Sequence, residues 1–273
     1  MPLLKGIVLK TPTRKQDQYP FNVSTVKNLK NLEFKSPICF FVGENGSGKS
    51  TLLEGLAAKL NFPTIGTHPV ATDPSLDAAR RLAATLQLQW VSKVVHQGFF
   101  LRAEDFFGFI QRIGQMQREL EREEESLRRE MEEAGSSDYG IQLATGSLRG
   151  NRDAISSRYG ENPDAQSHGE SYLQLFSSRI QRNSIYLMDE PEAALSPMRQ
   201  LAFLDLLLQG EEQGNQFIIA THSPILLAYP GAQIFSFDQG AVAETDYDSL
   251  EHVRFTRMFL NNPQAFLHHL KPR

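Results

Sequence analysis

Between the apolar run "PICFFV" (37–42) and the helix-forming run "LLEGLAAKL" (52–60), the chain places the nine residues "GENGSGKST" (43–51). This spacing fits G-x-x-x-x-G-K-[ST] through Gly43, Gly48, Lys49 and Ser50. Glycines at those positions let successive backbone N–H groups turn inward around phosphate oxygens. The following helix turns its positive N-terminal end toward the same anion. Lys49 is placed for the β- and γ-phosphates of a nucleotide, and Ser50 for magnesium. Asn45, Gly46, Ser47 and Thr51 complete the expected cradle. A chance glycine turn would not need a buried strand before it and a helix behind it. The motif therefore predicts a strand–loop–helix unit in an α/β fold.

Two later stretches fit the same architecture. In "SIYLMDEPEAALS" (184–196), an apolar strand delivers Asp189 and Glu190 at its carboxyl end. Ligands of open α/β sheets bind at that edge. Asp189 is expected to hold magnesium, and Glu190 to polarise an attacking water. Glu192 reads as an acidic residue near a helix start. In "FIIATHSP" (217–224), a second apolar strand ends at Thr221 and presents His222, placed for a γ-phosphate and the attacking water. The catalytic candidates are thus Glu190, His222 and Lys49, with Ser50 and Asp189 as metal ligands.

Around these pieces the pattern alternates. "LLKGIVLK", "FNVSTV" and "NLEF" read as short N-terminal strands, and residues 76–88 as a helix. "QLQWVSKV" and "GFFLRAE" read as a hairpin turning at His96–Gly98. Residues 105–133 are helical, with an apolar face of Phe106, Phe109, Ile110 and Ile113 that gives way to "RELEREEESLRREMEE". Leu120, Leu127 and Met131 form too short a seam for a coiled coil, so a short exposed helical projection is expected. Residues 134–166, rich in Gly, Ser, Asn and Asp, read as a loop. Helices flank the strands "SIYLMD" and "QFIIATH", which argues for a mostly parallel sheet. A strand pair and a helix are expected to close the chain. The expected divisions are an N-terminal lobe (1–104), an inserted helical segment (105–180) and a C-terminal lobe (181–273).

The bulk numbers narrow the class. A net charge of −4 gives no overall basicity toward nucleic acid. Residues 1–35 are locally basic, with Lys5, Lys10, Arg14, Lys15, Lys27, Lys30 and Lys35 against Asp17 and Glu33. Cys39 is the sole cysteine, which rules out an intrachain disulfide and fits a reducing compartment. No signal-peptide pattern opens the chain, and no apolar run reaches the ~20 residues of a membrane helix. A cytoplasmic location without membrane insertion is expected. His252, His268 and His269 read as surface histidines, with no carboxylate spacing to make a metal site of them.

With the three motifs in this order, the chain resembles the ABC-type ATPase superfamily. "GENGSGKST" is similar to Walker A, "IYLMDE" to Walker B, "EAALS" to the D-loop and "ATHSP" to the switch histidine. The resemblance runs from about Pro37 to Ala228, interrupted at 105–160. The family's signature helix start is matched by "QSHGE" (166–170), through Ser167 and Gly169. His168 and Glu170 depart from it, and Ser196 stands where the D-loop has aspartate. Ser167 and Glu170 also fit a plain helix capping box.

The resemblance implies ATP and Mg2+ as cofactors. It implies an ATP-dependent, head-to-tail homodimer in which Ser167 and Gly169 meet the nucleotide held by Lys49 of the other copy. Gln97 and Glu104 compete for the lid-coupling glutamine's place, and Tyr19 or Phe21 for the adenine. Within the superfamily the chain looks most like stand-alone AAA/ABC ATPases related to the SMC and RecF group. Those relatives imply DNA maintenance, or a protein effector in a nuclease-linked defence system, with DNA as a partner through the basic N-terminal residues. The alternatives are a transporter's ATP-binding subunit and a nucleotide-gated scaffold without turnover.

Overall fold

The computed structural model describes residues 1–10, 17–64, 77–92, 97–159 and 168–268. The strands are β1 (Leu4–Leu9), β2 (Asn31–Glu33), β3 (Ile38–Val42), β4 (Leu86–Trp90), β5 (Gly98–Arg102), β6 (Ile185–Asp189), β7 (Gln216–Ala220), β8 (Gln233–Ser236) and β9 (Ala243–Thr245). The helices are α1 (Ser24–Asn28), α2 (Lys49–Leu60), α3 (Asp77–Thr85), α4 (Ala103–Glu133), α5 (Asp138–Tyr159) and α6 (His168–Arg179). Four more follow: α7 (Pro197–Glu212), α8 (Pro224–Leu227), α9 (Glu251–Asn261) and α10 (Pro263–Leu267).

The central sheet has the order β5-β6-β7-β3-β8-β9, parallel throughout except for β9. Its strands alternate in what they bury. Phe40, Tyr186, Phe217 and Ile219 face one core with Phe106, Phe176 and Phe203 of α4, α6 and α7. Cys39, Phe41, Leu187 and Ile218 face the other, with Leu52, Leu53 and Leu56 of α2. Every residue of β3 and β7 is buried. Strands covered on both faces read as unbroken apolar runs, which is why these were visible in the sequence.

The second sheet, antiparallel in the order β2-β1-β4, covers the α2 side. Buried Gln216 of β7 joins the two sheets: its Oε1 accepts from the N–H groups of Leu3 (2.9 Å) and Leu4 (2.7 Å). Its Nε2 donates to the Leu4 carbonyl at 3.1 Å. An α/β fold with a mostly parallel sheet and an N-terminal antiparallel sheet is thus as expected.

Several local expectations fail. "QLQWVSKV" and "GFFLRAE" do not pair: β4 lies on β1, and β5 lies parallel to β6. The turn at His96 lies outside the described residues. Leu86–Leu88 belong to β4, so α3 ends at Thr85. In "FNVSTV", Ser24–Val26 are helical, and the Val23 and Thr25 side chains lie against Gly48 of the glycine loop.

Residues 138–159 form a 22-residue helix rather than a loop. The expected projection is therefore a hairpin of α4 and α5. Contacts Gln117–Ser156 and Glu124–Arg149 show that the two run antiparallel. Among the described residues, no helix is long and apolar enough to cross a membrane.

Candidate nucleotide site

All five parallel strands end on one edge, and Lys49, Ser50, Asp189, Glu190 and His222 lie there. β3 runs into the glycine loop, β6 ends at Asp189, and β7 leads to His222. Gly43, Gly46 and Gly48 have φ of 144°, 81° and 104°. At Gly48 space forbids a side chain as well: a Cβ would lie 2.8 Å from Cγ1 of Val23. Thr25 holds the loop from the same side by donating from Oγ1 to the Ser47 carbonyl. Asp238, two residues beyond β8, accepts the Glu44 N–H at 2.7 Å.

Lys49 is only 4% exposed. Its Nζ donates to the carbonyls of Gly43 (2.6 Å) and Glu44 (3.0 Å). Burial lowers its pKa, and Asp189, Glu190, Asp238 and Glu192 work against that shift. An anion at the loop would replace two neutral acceptors with a charged one, which makes the stronger hydrogen bond.

The Ser50 side chain works to lower the Asp189 pKa, so the two expected metal ligands lie together. Burial raises the Asp189 pKa to about 6, with Glu190 and Glu192 adding to the rise and Ser50 and Lys49 opposing it. Its Oδ1 is buried without a hydrogen-bond partner, as is Oγ of Ser47. Buried polar atoms left unpaired are costly. A divalent cation on Ser50 and Asp189 would satisfy one, and a phosphate oxygen the other. These residues fit Mg-nucleotide.

Glu190 sits in the left-handed region (φ 51°, ψ 51°), where a side chain costs about 1–2 kcal/mol. Its N–H donates to the Ala220 carbonyl at 2.9 Å, which pins it to β7. His222 Nε2 lies 3.8 Å from Glu190 Oε1. The His222 N–H donates to Oε1 of Glu192 at 2.6 Å. Glu44, Asn45, Glu190 and His222 line one hollow of about 510 Å³. A second hollow of about 520 Å³, bounded by Tyr19, Asn45, Ser47 and Asp238, opens over the loop.

Thr51 Oγ1 lies 3.2 Å from the Tyr19 hydroxyl. Tyr19 is thus beside the loop, whereas Phe21 is packed in the core and does not face a ligand. Gln97 lies at the amino end of β5, where its carbonyl accepts the Ile185 N–H, on the edge away from the loop. Glu104 follows β5 on the correct edge, and its side chain is outside the described residues.

Ser167 also lies outside the described residues. Gly169 is in the first turn of α6. Ser196 is exposed and makes no capping bond to α7. His252 is half-buried with Nε2 enclosed rather than a surface histidine, while His268 is exposed and His269 lies outside the described residues. Lys5 and Lys35 of the basic stretch pair with exposed Glu33 and Glu244. Among the described residues no cluster of three His, Cys, Asp or Glu forms another metal site.

Sequence reasoning missed three contributors. Thr25 and Asp238 brace the loop from distant segments and carry no local motif. Glu192 was visible only as an acidic residue near a helix start.

Comparison with known proteins bears on the same segments. Residues 98–228 match a family model described as "AAA domain, putative AbiEii toxin, Type IV TA system". Residues 21–64 match another described as "AAA domain". No curated protein sequence matches the chain.

Similar solved structures include an Smc head domain from Pyrococcus furiosus with an extended coiled coil, bound to the C-terminal domain of ScpA. It is 13% identical with a TM-score of 0.48, covering 97% of this chain and 100% of that one. A nucleotide-free ATP-binding cassette from an ABC transporter is 16% identical at a TM-score of 0.49, with 100% of both chains covered. CbiO1 from Clostridium perfringens, part of the cbiONQ transporter complex, is 16% identical at 0.47, covering 96% and 97%.

Proposed function

We propose that this chain is a P-loop ATPase of the ABC/SMC-like kind that hydrolyses Mg-ATP and uses the cycle as a switch, a reading that the AAA-domain matches over 98–228 and 21–64 support. The observation that carries the reading is the meeting of Lys49, Ser50, Asp189, Glu190 and His222 on one sheet edge. Ser50 and Asp189 would hold magnesium, which when bound neutralises phosphate charge. Lys49 and the loop N–H groups bind the β- and γ-phosphates and stabilise charge that develops on them. Glu190 orients and polarises the attacking water, and His222 fixes its place against the γ-phosphate.

Ser167 and Gly169, at the start of α6, would serve the nucleotide of a second copy. ATP then becomes part of the interface between two protomers, and binding favours the closed dimer by mass action. Hydrolysis reopens it. The model for residues 98–228 carries a description tied to a toxin–antitoxin system, which supports work alongside a protein effector.

The test is the size of the Glu190→Gln protein by light scattering with and without Mg-ATP. A dimer that forms only with Mg-ATP is expected. A monomer that holds ATP would overturn the shared site.

A further inference from the structure

Besides Ser47 Oγ, Asp189 Oδ1 and His222 Nε2, two further buried polar atoms close to the site have no hydrogen-bond partner, and they are chemically complementary. One is the hydroxyl of Tyr172, in the first turns of α6. The other is Oε2 of Glu192, in the turn Pro191–Ala194 that follows β6. A protonated phenol needs an acceptor, and a carboxylate oxygen needs a donor. The turn and α6 pack against each other.

Tyr172 is 1% exposed and wedged edge-on between Phe106 of α4 and Phe203 of α7, at ring distances of 4.8 and 6.1 Å. Burial holds its pKa well above the usual phenol range. The charge on Glu192 pushes the same way. Tyr172 therefore remains a donor at any physiological pH.

Glu192 already uses its other oxygen. Oε1 accepts the His222 N–H at 2.6 Å, which ties the turn to the histidine at the end of β7. The carboxylate thus stands between a helix of the inserted segment and a residue of the site, with one bond made and one open. A movement of α6 that brought the hydroxyl onto Oε2 would close the second bond and change the hold on His222.

We propose that Glu192 is a positioning residue that links the His222 backbone to the Tyr172 hydroxyl, so that the placement of α6 regulates the histidine. This rests on the hydrolytic reading above. It adds a route from the inserted helices to the site that uses neither Gln97 nor Glu104. While the bond is open, two buried polar atoms go unpaired, which is a cost. In the closed form its closure favours the hydrolytic geometry.

The test uses Tyr172→Phe, Glu192→Ala, their double variant and His222→Ala in the full chain. Tyr172→Phe keeps the buried ring and removes only an unpaired hydroxyl, so its Tm without nucleotide should stay level or rise. The same variant should lower kcat about fivefold, the size of one lost hydrogen bond, with KM within twofold. Glu192→Ala should lower kcat more, and adding Tyr172→Phe to it should cost nothing further.

Hydrogen exchange gives a readout independent of turnover. With Mg-ATP bound, the segment 221–223 should exchange several-fold faster in Tyr172→Phe than in the wild type. Wild-type kcat and exchange in Tyr172→Phe, or losses that multiply in the double variant, would overturn the link. A wild-type kcat in His222→Ala would instead overturn the role given to the histidine, with exchange still reporting on the link.

Discussion

The central sheet and the α4–α5 hairpin sit side by side in the chain and are held by opposite means. β3 and β7 bury every residue, and their neighbours above and below are aromatic or aliphatic. The hairpin buries Ile113 and Ile141 but also Gln117, Glu124 and Thr145. Glu124 accepts from Arg149 at 2.9–3.0 Å and from Arg152 at 2.9 Å. Apolar burial supplies stability without direction, whereas a paired carboxylate between two helices fixes register at little net gain. The sheet edge that carries the site is fixed by a two-sided apolar core, whereas the hairpin leans on a partly solvated ion-pair cluster.

The largest break in that contrast is Phe217→Ala. Phe217 is fully buried and stacks on Tyr186 at 5.3 Å. Its loss should cost about 3–5 kcal/mol of global stability, read from the denaturant midpoint. Glu124→Ala should cost about 1 kcal/mol, because Arg149 and Arg152 are partly solvated and water can replace their partner. Its effect should be local: faster hydrogen exchange across 103–159 and no change in the sheet. An equal global loss in both variants would erase the distinction.

A third prediction concerns Asp189. Burial favours its protonated form, and a metal needs the carboxylate. Magnesium affinity should therefore fall as pH drops through about 6, by up to tenfold per unit. Asp189→Asn should remove that slope. For the nucleotide-free protein the sign reverses. The folded state binds this proton more tightly than the unfolded chain, whose value is near 3.8. The group's contribution to stability thus rises as pH falls from about 6 to about 4.

The smallest effect is Glu190→Gly. Relief of the left-handed backbone and loss of chain stiffness nearly cancel, so stability should change by less than about 1 kcal/mol. Turnover should be lost.

The same contrast explains what could be read in the sequence. β3, β6 and β7 are short apolar runs ending in polar residues, and each was legible because its burial is two-sided. The glycine loop was legible because its backbone needs those residues wherever it occurs. β4 and β5 were misread as a hairpin since their partners, β1 and β6, lie about 80 residues away in sequence and leave no local trace.

α5 was misread as a loop because Gly140, Gly146 and Gly150 have poor helix propensity. What makes it a helix is its packing on α4 and the Glu124 pairs, which only the folded chain supplies. Within the site, Lys49, Ser50, Asp189, Glu190 and His222 were all visible. Thr25, Asp238 and the two-sided role of Glu192 depend on contacts between remote segments.

In the proposed cycle one sheet edge both holds ATP and breaks it. Phosphate release and fluorescent-ATP binding, measured together on wild type, Lys49→Ala and Glu190→Gln, address it directly. Release by the wild type is expected. Loss of both signals is expected in Lys49→Ala, and retained binding with at least about a hundredfold slower release in Glu190→Gln. Release at the wild-type rate by Glu190→Gln, or undiminished binding by Lys49→Ala, would contradict it.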